Sequence, residues 1–177
     1  GAYGVAVKID ADSMAKETML PDEVPKVNLF ARYIPKGMSW NDEYHLQYPE
    51  HEQTGGFSFA SVLLDKNDLG QVVQDQNVID SEERTFGEYQ GVYLKYNSIA
   101  KSGTFNQRIY LVCPDLYRVI MIYIGDDVSK EDAIKVAENL VITGNTTMVK
   151  TAGMPTWSED MIAEKIENDD DEIITSV

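Results

Sequence analysis

One stretch of the sequence decides the fold: Arg108-Ile-Tyr-Leu-Val-Cys-Pro-Asp-Leu-Tyr-Arg-Val-Ile-Met-Ile-Tyr-Ile124. It is dense in valine, isoleucine and tyrosine, which favour strands, and Pro114-Asp115 interrupts it near its centre. Proline suits the first central position of a tight turn, so the pattern predicts an antiparallel hairpin with strands at 108–113 and 116–124. Apolar side chains fall on both sides of the second strand, which places it in the middle of a sheet.

A helix is predicted directly after this hairpin. Ser129 is a suitable N-cap, and Asp132 stands three residues later, where a capping box has its acidic partner. The apolar residues that follow recur at helical spacing and form a stripe that must pack on the sheet: Ala133, Ile134, Val136, Ala137 and Leu140. Gly144 is predicted to close this unit.

Further strands are predicted at 27–34, 57–64 and 86–96, where β-branched and aromatic residues lie between turn signals. The pattern at 71–79 is ambiguous between a helix and a strand. A second capping pattern, Thr156 with Glu159, predicts a shorter helix that runs through Ile166. Together the patterns predict an α+β fold, in which an antiparallel sheet of about five to six strands carries a C-terminal helix on one face.

The chain is predicted to have three segments. Residues 1–26 are a lead-in, because Pro21 and Pro25 break any helix that starts there. The abrupt apolar opening after Gly1 indicates either an ordinary first strand or the point at which a membrane anchor or signal has been removed. Residues 27–144 form the α+β domain, and residues 145–177 form an acidic helical extension.

The charge balance excludes some classes of partner. The 177 residues include 30 acidic and 15 basic ones, a formal net charge of -15, and residues 158–177 alone carry eight acids and one base. Nucleic acids and anionic lipid surfaces are polyanions that are bound through lysine and arginine, and no basic cluster is visible in this sequence. We therefore expect no nucleic-acid partner, and contact with a membrane only through an anchor.

The single cysteine, Cys113, lies within an apolar strand, so the chain can form no internal disulfide and no cysteine-based metal site. It is interpreted as a small buried hydrophobe. No stretch approaches the roughly 18 to 20 apolar residues that a membrane span needs.

No catalytic signature is present. His45 and His51 are the only histidines, Glu50 and Glu52 offer little as further metal ligands, and the chain lacks a nucleophile elbow and a phosphate-binding glycine loop. The segment 65–70 begins like a calcium loop but lacks the later ligands, and it is interpreted as a turn. We therefore predict no catalytic, cofactor-binding or metal-binding residue, no cofactor and no enzymatic activity.

Four aromatic residues fall in segments predicted to be turns or loops: Trp40, Tyr44, Tyr48 and Trp157. Aromatic side chains in loops often mark a surface that contacts a peptide, a glycan or a partner protein. These four are the candidate interaction surface. The alternative is that they cap the end of a sheet.

The order of elements resembles a family of uncharacterised bacterial domains found at the extracytoplasmic C-terminal ends of Gram-positive anti-sigma-factor-like membrane proteins and of some lipoproteins. The resemblance covers about residues 27–142 and depends on four motifs: Ile34-Pro-Lys-Gly-Met38, Gly55-Gly-Phe-Ser-Phe59, Tyr89-Gln-Gly-Val-Tyr-Leu-Lys-Tyr96 and Val128-Ser-Lys-Glu-Asp-Ala-Ile-Lys-Val-Ala-Glu-Asn-Leu140. The family has leucine and glutamate where this chain has Val128 and Asp132. It brings no catalytic residues to carry over.

The resemblance implies a non-catalytic sensor or interaction domain that is extracytoplasmic and membrane-tethered. Such a domain would bind a cell-envelope ligand or a protein partner and belong to an anti-sigma-factor-like regulator or a lipoprotein. Two alternatives remain open. The first is an exported protein, either a carrier that binds an apolar ligand between sheet and helix or a hydrolase-like protein. The second is a self-associating envelope protein.

Overall fold

The computed structural model describes residues 3–8, 20–51, 55–64, 72–97 and 105–157. These residues form ten strands and one α-helix: β1 Tyr3–Lys8, β2 Glu23–Ala31, β3 Ser39–Trp40, β4 His45–Gln47, β5 Phe57–Leu63, β6 Val72–Phe86, β7 Tyr89–Tyr96, β8 Gln107–Cys113, β9 Arg118–Ile124, α1 Lys130–Glu138 and β10 Leu140–Lys150. The predicted helix after Thr156 and the turn at 65–70 lie outside the described residues, apart from Thr156 and Trp157.

The strands form two antiparallel sheets. The main sheet has eight strands in the order β1-β6-β7-β8-β9-β5-β4-β3, and the small sheet pairs β10 with β2. Strands β6 to β9 follow one another as a meander, whereas β5 reaches its place beside β9 from earlier in the chain. The small sheet therefore joins two distant parts of the chain, with Ala31 opposite Leu140.

The predicted α+β fold is wrong, because the described residues are mostly β and the helix is not the C-terminal element. Leu140, assigned from the sequence to the helical stripe, instead begins β10, and Gly144 lies within that strand rather than at its end. β10 begins two residues after the end of α1, so the helical spacing of apolar residues continued by chance into the first residue of the strand. The ambiguous segment 71–79 belongs to the long strand β6, and the small sheet was not foreseen.

The hairpin and the helix cap predicted around the deciding stretch are confirmed, although the second strand begins at Arg118 and not at residue 116. β8 and β9 pair as an antiparallel hairpin, joined by a short 3-10 turn at Pro114–Leu116 and by Tyr117, whose φ of 54° lies in the left-handed region. Every residue of β8 is buried, as expected of a central strand with both faces covered. Ser129 caps α1, and its side chain accepts a hydrogen bond of 3.1 Å from the backbone N–H of Asp132.

The main sheet is covered on both faces. On the first face, α1 and the small sheet pack against apolar side chains such as Phe57, Ile109 and Ile122. On the second face, Trp157 is fully buried and its ring lies 5.1 Å from that of Tyr110 in an edge-to-face arrangement. Aromatic rings of this kind contribute both buried area and a favourable quadrupole contact.

A buried polar network fixes the start of α1 against the sheet. The side-chain amide of Gln107 donates 2.8 Å hydrogen bonds to the carbonyl oxygens of Gly125 and Val128. Its oxygen accepts a 2.6 Å hydrogen bond from the hydroxyl of Tyr93. Because buried polar groups are costly when unpaired, this network specifies the path from β9 into the helix.

Candidate ligand-binding cavity

A cavity of about 520 Å³ lies between the main sheet and the small sheet. Its walls come from β5 and β9 on one side and from β2 and β10 on the other. The lining residues are Lys26, Val27, Leu29, Tyr44, Phe59, Ala60, Ser61, Arg118, Ile120, Val149, Lys150 and Met154. The volume falls within the range of about 300 to 1,000 Å³ that is typical of small-molecule sites.

The space exists because β5 is paired along only part of its outer edge. β4 pairs with Phe57 and Ser58 alone, and beyond them the amide of Phe59 donates to the carbonyl of Tyr44 at 2.9 Å. At the far end of β5, the amide of Leu63 donates a hydrogen bond of 3.0 Å to the carbonyl oxygen of Pro155. Alternate amides of a strand point to the same side, so the amide of Ser61 faces the gap between these two contacts.

The segment after β10 closes one side of the cavity. The backbone turns at Ala152-Gly153, where Gly153 has a φ of 85° and the amide of Met154 donates to the carbonyl of Thr151 at 3.1 Å. Pro155 and Thr156 then pair with the edge of β5 at Leu63. The same segment thus runs from the small sheet to the main sheet, with Met154 in the cavity wall.

Arg118 is the buried cation of the cavity, with only 2 % of its surface exposed. Its guanidinium donates 2.9 Å hydrogen bonds to the carbonyl oxygens of Leu116 and Pro25. Its Nε–H is also buried and has no acceptor among the described residues. Burial lowers the pKa of Arg118, and no carboxylate among the described residues offsets this effect. Buried arginines are usually paired with an acid, so this environment is uncommon.

Two lysines add positive charge to the cavity. Lys150 is exposed, and Lys26 is half-exposed and lies 3.8 Å from the carboxylate of Glu43 outside the lining. None of the lining residues within the described part of the chain is acidic. An ion pair this exposed contributes little, because water and salt screen it. The walls of the cavity are therefore mainly apolar, and the charged side chains described in its lining are all cations.

The four aromatic residues predicted as an interaction surface do not lie together. Tyr44 is 38 % exposed and lines the cavity. Trp40 lies nearby, with its ring 5.4 Å from that of Phe59, and Tyr48 packs edge-on against His51 at 6.1 Å. Trp157 is fully buried on the other face of the main sheet.

The two histidines are held by two different aspartates. Nδ1 of His45 lies 2.8 Å from the carboxylate of Asp42, and Nδ1 of His51 lies 2.9 Å from Oδ2 of Asp127. Oδ1 of Asp127 also accepts a 2.9 Å hydrogen bond from the amide of Gly56. The first contact lies within one hairpin and the second joins two distant segments. The part of the chain that the structure describes contains no group of three or more potential metal ligands.

Cys113 lines a second cavity of about 400 Å³, which also includes Tyr89 and Leu116. The thiol is buried, and burial raises its pKa to about 12. A thiol with so high a pKa is almost fully protonated at neutral pH and is a poor nucleophile.

Sequence reasoning did not identify Arg118, Lys26 and Lys150 as site residues. A partial signal was present at Arg118, which like Arg108 is a charged residue within the apolar stretch that decides the fold. Among the described residues, no helix has the length and apolar character that a membrane span requires.

Comparison with protein-family models, with curated proteins and with solved structures finds no match to this chain.

Proposed function

We propose that this chain is a non-catalytic binding domain that holds a small ligand with an apolar body between its two sheets. The observation that carries the proposal is the cavity of about 520 Å³, whose walls are formed mainly by apolar side chains such as Leu29, Ile120 and Val149. Ligand sites typically combine such walls with a few polar groups that set the orientation of the ligand.

The chemistry of the lining supports binding rather than catalysis. The described lining contains the hydroxyl groups of Ser61 and Tyr44 but no histidine, cysteine or carboxylate. Nucleophilic catalysis needs a base within hydrogen-bonding distance of the nucleophile, and this lining does not supply the usual one. A ligand would be bound here and released unchanged.

This proposal takes up the carrier alternative of the sequence analysis and moves its ligand from between sheet and helix to between the two sheets. It also fits the sensor role that the family resemblance implies, since a domain that binds a cell-envelope ligand can report its presence to a membrane anchor. The extracytoplasmic, tethered location remains a prediction that rests on the resemblance alone.

The test uses decan-1-ol at a concentration below its solubility limit as an apolar probe. Methyl NMR spectra of the full chain should show saturable shifts at Leu29, Ile120, Val149 and Met154. Ser61→Trp places an indole in the cavity and should abolish these shifts, whereas Ser39→Trp adds the same ring at an exposed position of β3 and should preserve them. Shifts that are absent in the native chain, or that persist in Ser61→Trp, would exclude this cavity as the binding site.

A further inference from the structure

We infer that the ligand of this cavity is an anionic amphiphile, a molecule with one negatively charged head group and an apolar body. Arg118 would receive the head group, and Lys26 and Lys150 would flank it. The inference rests on the cavity function proposed above and adds the chemical class of the ligand.

The first argument is the state of Arg118. A guanidinium carries five N–H donors, and transfer of its charge out of water costs free energy that a buried partner normally offsets. In the described residues, Arg118 has two carbonyl acceptors and lies within salt-bridge distance of no carboxylate. Its Nε–H is left without an acceptor. A carboxylate or phosphate from outside the chain supplies the negative charge that this site lacks.

The second argument is the distribution of charge. The chain has twice as many acidic as basic residues, yet the described residues that line the cavity include three bases and no acid. Each of the two lysines has an exposed acid as a neighbour: Glu43 lies beside Lys26, and Glu23 is opposite Lys150 in the small sheet. With a net charge of -15, the surface as a whole repels anions. The cavity is thus a local positive region on a chain that otherwise disfavours anionic ligands.

The third argument is the rest of the lining, which excludes a simple inorganic anion as the complete ligand. Phe59, Ile120, Leu29 and Met154 offer apolar surface that an ion such as phosphate would leave uncovered. Burial of an apolar chain against these side chains is favourable because it removes apolar area from water. A ligand with both a charged head and an apolar tail satisfies both parts of the cavity.

The test compares three probes of equal chain length: decanoate and decyltrimethylammonium below their micellar concentrations, and decan-1-ol below its solubility limit. Calorimetry and the methyl NMR shifts described above should show decanoate bound at least about tenfold more tightly than decan-1-ol, and the cationic probe bound most weakly. Added salt should weaken decanoate binding and leave decan-1-ol binding nearly unchanged, because salt screens only the charged interaction.

The outcomes separate this inference from the proposed function. If none of the three probes binds in the cavity, the proposed function fails and the inference fails with it. If decanoate and decan-1-ol bind there with equal affinity, the proposed function stands and the inference is overturned. Tighter binding of decanoate supports both.

Variants locate the charge recognition. Lys150→Gln should weaken decanoate binding about threefold or more and leave decan-1-ol binding unchanged, because it removes an exposed charge without disturbing the core. Lys36→Gln makes the same change on an exposed residue outside the cavity lining and should affect neither probe. Arg118→Met should reduce the preference for decanoate over decan-1-ol by more than Lys150→Gln does.

Arg118→Lys keeps the charge and should retain part of the preference for decanoate, which distinguishes charge recognition from a purely structural loss. If Arg118→Met does not fold, Lys150→Gln and the double variant Lys26→Gln/Lys150→Gln decide the question. A preference for decanoate that survives the double variant and Arg118→Lys undiminished would overturn the inference.

Discussion

The guanidinium of Arg118 donates a hydrogen bond of 2.9 Å to the carbonyl oxygen of Pro25 and thereby joins β9 of the main sheet to β2 of the small sheet. The same guanidinium holds the carbonyl of Leu116 in the turn before β9. One buried side chain therefore connects three parts of the chain at the edge of the cavity. A ligand that contacts Arg118 would touch the junction of the two sheets.

We expect Gly56→Ala to destabilise the protein far more than Gly153→Ala. Both glycines have positive φ, 66° and 85°, so alanine at either position incurs backbone strain of about 1 kcal/mol. At Gly56 the added Cβ also collides with the backbone carbonyl of Leu46, whereas at Gly153 no heavy atom lies within 4 Å. The free energy of unfolding in urea should fall by about 3 kcal/mol or more for Gly56→Ala and by about 1 kcal/mol for Gly153→Ala. An equal decrease in the free energy of unfolding for the two variants would contradict the close contact between Gly56 and the backbone of Leu46.

Tyr93→Phe should lower the free energy of unfolding by about 1 to 3 kcal/mol. The substitution removes the hydroxyl that donates to Gln107 and leaves the buried amide oxygen of Gln107 without that partner. Tyr44→Phe is the control, since Tyr44 is exposed and its loss of a hydroxyl should change stability by less than about 0.5 kcal/mol. Chemical denaturation of both variants makes the comparison, and an unchanged midpoint for Tyr93→Phe would rule out the buried network.

Cys113 should react with a thiol reagent only when the protein unfolds. Burial raises its pKa from 9.0 to about 12, so the thiolate is scarce in the folded state at pH 8. An introduced cysteine, Ser39→Cys, lies on an exposed position and should react within seconds under the same conditions. Labelling of Cys113 at a similar rate in the absence of denaturant would show that it is not buried.

The raised pKa of Cys113 also predicts a dependence of stability on alkaline pH. A group whose pKa is higher in the folded state contributes its stability fully below its unfolded pKa and loses it as the pH rises toward the folded value. The contribution of Cys113 is therefore complete below about pH 9 and is lost between pH 9 and about 12. Cys113→Ala should reduce the loss of stability measured over this interval, and an identical pH profile for the variant would disprove the shift.

Trp157→Ala should cost about 3 to 5 kcal/mol, as expected when a large aromatic side chain is removed from a core. Trp157 is fully buried against Tyr110, although the sequence placed it among the candidate interaction residues. Trp40→Ala is the comparison, because Trp40 is only partly buried and should lose less. A cost below about 1 kcal/mol at Trp157 would indicate that this face of the sheet does not depend on it.

The sequence predicted those parts of the fold that depend on neighbouring residues. The β8–β9 hairpin follows from two strand-forming runs on either side of Pro114, and α1 follows from the cap at Ser129 and its apolar spacing. In both cases the residues that decide the structure lie within about a dozen positions of one another. Local propensity and turn chemistry are sufficient there.

Long-range pairing could not be predicted in the same way. β10 pairs with β2 although more than a hundred residues separate them in the sequence, and no local pattern in either strand indicates which strand it pairs with. β6 contains Asp80, Glu82 and Glu83, which have low strand propensity, and these residues are held in a strand by their pairing with β7. The cavity depends on that same long-range arrangement, which is why its cations appeared unrelated in the sequence.

The pairing of Ala31 with Leu140 has a consequence for the order of folding. A contact between such distant positions closes a very long loop, and contacts of this kind form slowly. The second wall of the cavity is therefore expected to be completed late, after the meander and the helix are in place. A ligand in the cavity would stabilise the pairing of β2 with β10. Loss of the ligand would increase the fraction of time that these two strands are separated.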